Sequence, residues 1–297
     1  MTVARDRVSV WVPATSANLG VGFDCLGLAL TLGNRFTFER ADESSFTGCE
    51  PRFANPGNLA YTSYLEASRA LGVEPSPVAL SCETGIPLSG GLGSSSTCIV
   101  AGIAAAHALA GVEVDRMRLV ELASEREGHP DNVAPAVLGG LTSSFMTEGG
   151  EVVCMEAPVS DAWRFVAVCP PYEVRTEDAR RVMPSSVPLA TAVWQMGRVA
   201  ATCHALETGD GGLLAKACDD RLHEPYRRPL IAHYDRCRAA CLEAGASAFW
   251  ISGSGSTMMA ACLGDARAAA VEAAARGLDP ALRTFALSCC ADGTSIR

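Results

Sequence analysis

Between Pro87 and Thr97 the chain reads PLSGGLGSSST, the segment whose residue types and spacing are best suited to chemistry. Holding a polyphosphate requires consecutive backbone N–H groups free to face an anion, close approach without Cβ atoms, and a helix N-terminus behind them. All three are supplied here, because glycines 90, 91 and 93 run through Ser94, Ser95 and Ser96 into a long stretch of small and apolar helix formers closed by Gly111. One of these serines is expected to cap the helix with its hydroxyl. The loop is not a Walker A loop, since no Gly-Lys-Ser/Thr follows, and GGLG lacks the glycine spacing of a dinucleotide fingerprint. The same composition also fits a capped loop without a ligand. A second glycine loop, SGSGST at Ser252–Thr257, is compatible with a plain turn between strands.

A nucleotide cradle also calls for a hard cation held by carboxylate and hydroxyl oxygens. Glu121 and Asp131 are the candidates, the latter followed by Asn132 in GHPDN. The alternatives are a solvated helix face for Glu121 and a simple turn for Asp131-Asn132.

Composition narrows the partners. A net charge of -9 argues against binding a phosphate backbone over a broad surface, and 6% aromatics against a stacking platform for single strands. No nucleic-acid partner is expected. The longest apolar run, Cys98 to Ala106, is nine residues and too short to cross a bilayer. MTVARDRVSVWVP has no apolar leader pattern. Thirteen cysteines, an odd number without a CxxC pair, do not form a disulfide framework or zinc ribbon, so they are expected as reduced, mostly core-packed thiols in a cytoplasmic protein. His233, Cys237 and Cys241 would share one helical face, yet fall short of a metal ligand set.

The elements that must carry these residues follow from periodicity. Val8, Val10 and Val12 alternate as a half-buried strand ending at Pro13, then a glycine-rich loop, ATSANLGVGFDCLGLAL, leads into an apolar segment. Strands are expected at Asn34–Glu39 and Val78–Cys82, and helices at Asn58–Leu71 and Arg116–Arg126, the latter broken at Gly128-His129-Pro130. Ala136–Phe145 carries a double glycine and β-prone residues. A new unit begins near Ala162 with the strand WRFVAVC, a short helix in RTEDARRVMP and long helices at Leu189–Glu207 and Leu230–Ala244. The strand ASAFWIS, the segment TMMAACL, a helix at Ala266–Arg276 and a strand at Leu282–Cys289 complete it. Without a strict βαβ rhythm, this favours an α+β protein.

Taken in order, PATSANLGVGFDCLGLAL, PLSGGLGSSST and SGSGST resemble the three motifs of the GHMP kinase superfamily. GHPDNVAPAVLGGL, Thr-x-x-Ala-Arg before Met-Pro, and DRLHEPYR resemble its homoserine kinase branch. The resemblance implies a two-domain fold, with a ribosomal protein S5 domain 2-like unit at 1–158 and a ferredoxin-like unit at 159–297. It implies an ATP-dependent kinase that phosphorylates the hydroxyl of L-homoserine on the route to threonine, with another small hydroxy amino acid or alcohol as the alternative acceptor. The cofactors implied are ATP and Mg2+, and a homodimer is compatible with it.

Carried onto this sequence, the resemblance places Pro87, Leu88, Ser89, Gly90, Gly91, Leu92, Gly93, Ser94, Ser95, Ser96 and Thr97 around the ATP phosphates, with Asn58 bordering the adenine. Ser94 or Ser95, with Glu121, would serve magnesium. Asn18 and Asp24 would contact the amino acid, Asp131 and Asn132 the phosphoryl acceptor, and Arg180 and Arg227 the substrate carboxylate, with Thr176 beside them and Gly253 to Gly255 closing the site. Asp24 or Asp131 suits an ammonium, and an arginine fork suits a carboxylate. Asp131 is expected either as general base or as substrate anchor, with the anchor preferred. The third motif has Ser256 where many relatives have proline. Cys25, next to Asp24, is expected to make the protein sensitive to thiol reagents.

Overall fold

The structure, a computed structural model, describes residues 5–88 and 90–297. Ser89, one of the residues expected around the phosphates, lies outside them. The first half runs β1 (Arg7–Asn18), β2 (Gly22–Arg40), β3 (Ser45–Thr47), α1 (Leu59–Ala70), β4 (Val78–Thr84), α2 (Ser94–Ala110), α3 (Arg116–Glu127), α4 (Val133–Leu138), β5 (Leu141–Met146) and β6 (Val152–Ala157). The second half runs β7 (Trp163–Cys169), α5 (Thr176–Arg181), α6 (Leu189–Thr208), α7 (Gly211–Ala217), α8 (Glu224–Arg227), α9 (Tyr234–Glu243), β8 (Ala248–Ile251), β9 (Met258–Leu263), α10 (Asp265–Leu278), β10 (Arg283–Leu287) and β11 (Ser295–Ile296).

Two sheets carry the architecture. The first has the order β11-β1-β2-β4-β3, with β5 also on β2 and β6 on β5. The second has the order β10-β7-β9-β8, all antiparallel, with helices between β7 and β8 and between β9 and β10, and the Ser252–Thr257 loop between β8 and β9. Numbered along the chain, that is 4-1-3-2, the ferredoxin-like arrangement. The chain is therefore α+β with two units. A division at 158/159 would leave the whole C-terminal tail with the second sheet; instead Ser295 and Ile296 return to pair with Trp11 and Val10 of β1.

Period-two alternation decides which layer each strand residue enters. In β7, Trp163, Phe165, Ala167 and Cys169 face the first sheet, while Val166 and Val168 face the helices behind. Trp250 and Met259 follow the first set, and Ile251 and Met258 the second. The first set meets Ala14, Leu26, Leu28, Leu30 and Leu92 in one continuous core, so the two units are joined by apolar packing. On the other face of the first sheet, Val8, Val10, Val12, Phe36 and Phe38 pack with residues of α1 to α4.

The opening segment departs from expectation. β1 does not stop at Pro13, and most of the expected glycine-rich loop is strand. A register shift between Pro13 and Ala14 accommodates the missing proline N–H, so pairing resumes with Ala14↔Leu30. The Ala136–Phe145 segment divides between α4 and β5. His233 precedes α9 and bonds Tyr172 and Asp279, while Cys237 and Cys241 are core residues. All thirteen cysteines are free thiols and none is exposed. Among the described residues, no helix is long and apolar enough to cross a membrane.

Candidate active site

The phosphate side is built from backbone. Gly90, Gly91 and Gly93 take φ values of +85°, +86° and +67°, the left-handed region that suits glycine. A Cβ on Gly91 would stand 2.5 Å from the Ser252 carbonyl oxygen, and one on Gly90 would stand 2.8 Å from that of Gly255. The carbonyls of Gly90 to Gly93 are engaged: Gly90 by Thr257 Oγ1 at 2.6 Å, Gly91 by Ser252 Oγ at 2.5 Å, Leu92 by the Thr15 N–H and Gly93 by the Thr97 N–H. None of the amides from Gly90 to Ser96 has a protein acceptor among the described residues. Carbonyls turned inward and amides left over make an anion cradle at the α2 N-terminus. Leu92, buried in the inter-sheet core, anchors the loop, while Pro87 and Leu88 lead into it.

No serine caps α2, contrary to expectation, because Gly93 occupies the N-cap. The hydroxyls turn instead to a carboxylate: Ser95 Oγ lies 3.2 Å from Glu127 Oε2, and Ser96 Oγ lies 3.1 Å from Glu127 Oε1. This corrects the placement of Glu121, which pairs with Arg118 at 2.8 Å on its own helix. The two glutamates are six residues apart on α3 and so point in different directions around it. Burial raises the pKa of Glu127, opposed by His129 and the two hydroxyls. Thr97 Oγ1 bonds the Ser94 carbonyl and accepts from Asn34. Asn58 is used as the cap of α1, accepting from the Ala60 and Tyr61 amides and donating to the Phe53 carbonyl.

The acceptor side is built from side chains. Asn18 Nδ2 donates to the Gly253 carbonyl at 2.9 Å, and its Oδ1 accepts from the Asp24 N–H at 3.0 Å. The turn between them holds Asn18, Leu19 and Asp24 at positive φ, an unusual cost for non-glycine residues and one that marks functional loops. Arg180 meets Asp24 through both terminal nitrogens, at 3.2 and 3.4 Å. Arg227, 3% exposed, donates to the Ala179 and Gly253 carbonyls, which leaves Nη2 without a hydrogen-bond partner among the described residues. Burial lowers the Arg227 pKa, while Asp24 and Asp131 act in the opposite direction. Thr176 Oγ1 lies 3.5 Å from Ser254 Oγ on the second glycine loop. Gly255 packs against Ile231, where a Cβ would approach Cδ1 to 2.7 Å.

Asp131, 3% exposed, joins the two sides. Its Oδ1 lies 2.5 Å from His129 Nδ1, and this hydrogen bond raises the His129 pKa. Asn132 Oδ1 accepts from Thr15 Oγ1 at 2.7 Å, and a Cβ on Gly93 would stand 2.1 Å from that same hydroxyl. Thr15 thus locks the phosphate loop to the acceptor residues. Thr15, Glu127 and His129 were not among the expected site residues; His129, two positions before Asp131 in a loop, was the readable signal. Cys25 is a poor candidate for alkylation, because burial pushes its thiol to about 11.

Two family models match this chain, GHMP kinases N terminal domain over residues 58–140 and GHMP kinases C terminal over residues 203–279. A homoserine kinase of Thermosynechococcus vestitus is 44% identical over 260 residues, covering 86% of each chain.

The chain belongs to the GHMP kinases.

A homoserine kinase of Clostridium botulinum is 40% identical to this GHMP kinase over 253 residues, 85% of each chain. The crystal structure of homoserine kinase from Cytophaga hutchinsonii superposes with a TM-score of 0.88 at 29% identity, covering 100% of this chain and 99% of that one. A mevalonate kinase structure, at 12% identity and a TM-score of 0.69, shares the fold.

Proposed function

We propose that this GHMP kinase transfers the γ-phosphoryl group of ATP to the side-chain hydroxyl of L-homoserine. Its relatives' names support the acceptor, and the observation that carries it is the Asp24–Arg180 pair facing Arg227 and Asp131. An amino acid presents an ammonium and a carboxylate close together. A carboxylate and two guanidiniums in one recess complement both, and the arginine fork can bond both carboxylate oxygens. The hydroxyl at the far end then points towards the amide cradle.

Asp131 serves as an anchor for the acceptor, rather than as a general base. Its Oδ1 is already occupied by His129, which holds the carboxylate in place. The hydroxyl oxygen forms the new bond to Pγ, the bond to the bridging oxygen of ADP breaks, and the proton passes to a phosphoryl oxygen. Such a transfer depends mostly on positioning and charge stabilisation.

Glu127 with Ser95 and Ser96 is an all-oxygen donor set, which fits a hard cation. These residues would hold Mg2+ in place of Glu121. When bound, the ion neutralises phosphate charge. Among the described residues no cluster of three His, Cys, Asp or Glu side chains could hold a metal, so the nucleotide would complete the coordination.

Purified protein incubated with ATP and a panel of homoserine, threonine, serine and mevalonate decides the acceptor. Phosphorus NMR should show O-phosphohomoserine forming fastest; turnover of another acceptor without homoserine would overturn the reading.

A further inference from the structure

The DRLHEPYR segment contains a side chain that none of the chemistry above uses. Asp220 Oδ2 accepts from the N–H groups of His223 and Glu224 at 2.8 and 2.7 Å, and its Oδ1 accepts from Gln195, which also reaches the Val21 carbonyl. His223, held by this cap, is completely buried. Its Nε2 lies 2.6 Å from the Gly20 carbonyl oxygen. A carbonyl can only accept, so Nε2 carries the proton. Nδ1 is buried without a hydrogen-bond partner among the described residues.

The same imidazole stacks on Phe23, with ring centroids 5.1 Å apart, and the Arg227 guanidinium lies 4.8 Å from the Phe23 centroid. One ring therefore grips both ends of the Gly20–Phe23 turn, directly before Asp24. It also supports the aromatic face on which Arg227 rests. An orphaned ring nitrogen costs stability, which a residue chosen for packing alone would not incur. Burial keeps the His223 pKa low, consistent with a neutral ring beside Arg227.

We infer that His223 is a positioning residue for the acceptor: through Gly20 and Phe23 it sets Asp24 and Arg227 at the spacing the amino acid requires. The inference rests on the acceptor-site reading above.

The test compares His223→Asn with His223→Gln, whose amide nitrogen reaches as far as Nε2. His223→Asn should raise KM for homoserine about tenfold or more and leave KM for ATP within about twofold. His223→Gln should recover most of that loss. Equal homoserine KM values in the two variants, or homoserine and ATP values rising together, would overturn the inference. Asp24→Asn, measured alongside, separates the two levels. If it leaves homoserine KM unchanged, the acceptor-site reading itself fails; if it raises KM and His223→Asn does not, only the positioning role fails. In the intact protein, long-range proton–nitrogen NMR should show the Nε2–H tautomer, and an Nδ1–H tautomer would overturn the inference without any substitution.

Discussion

The two sides of the cleft solve the problem of charge differently. At Gly90–Ser96 an anion would be met by amides, the Gly90 to Gly93 carbonyls being occupied by protein partners. At Asn18–Asp24 and Arg180–Arg227 the proposed acceptor would be met by charged side chains brought from distant parts of the chain. Phosphate oxygens are alike in all directions and tolerate a generic cradle, whereas an amino acid must be recognised by groups of opposite sign at a set spacing. A backbone cradle also explains how an acidic protein can bind a triphosphate without a lysine-rich loop.

This contrast makes the carboxylate at Glu127 the exception on the phosphate side, and its loss should have the largest effect. Glu127→Gln should lower kcat about 10²–10³-fold in steady-state assays, whereas Glu121→Gln should remain within about twofold of wild type. The reverse result would restore Glu121 to the metal site.

Next in size is Asp131→Asn, which should raise KM for homoserine about tenfold with a much smaller change in kcat. A large fall in kcat at unchanged KM would make Asp131 a base, and the acceptor side would then do more than bind.

Gly91→Ala tests the backbone cradle. A methyl group there meets the Ser252 carbonyl at 2.5 Å from a left-handed backbone, so thermal unfolding should reveal a loss of about 1–3 kcal/mol. KM for ATP should rise more than KM for homoserine.

The smallest effect on activity is expected at Glu224, on the same short helix as Arg227. Its carboxylate accepts from the Ile251 N–H and the Tyr234 hydroxyl, and burial pushes its pKa to about 7. A raised folded pKa contributes stability that is complete below the unfolded value near 4.5 and is lost as pH rises through 7. Between those limits the wild type should lose on the order of 3 kcal/mol relative to Glu224→Gln, as read from chemical unfolding across pH. A pH-independent difference would show that Glu224 does not titrate there.

The phosphate loop was legible because its parts are contiguous: glycines, serines and helix start follow one another within PLSGGLGSSST. The serines' actual role was not, since capping is a local expectation and Glu127 lies thirty-two residues beyond Ser95. Glu121 and Glu127 belong to one helix, and periodicity does not say which side of it meets α2. Pro13 was misread for a similar reason. A proline ends a strand by local rules, but a register shift with β2 lets this one continue.

Local order along the chain was enough to establish the α+β alternation, the glycine-rich loop, the arginines with their resemblance to a kinase branch, and the acidic balance of the chain. Those features depend on neighbouring residues, and neighbours are always close. The carboxylate facing the serines, the pairing of Ile296 in β11 with Val10 and the grip of His223 on Gly20 depend on contacts between residues 32, 286 and 203 positions apart. Such contacts are set by how two sheets pack through one shared core, because the free energy that selects them comes from burying apolar surface across the whole chain.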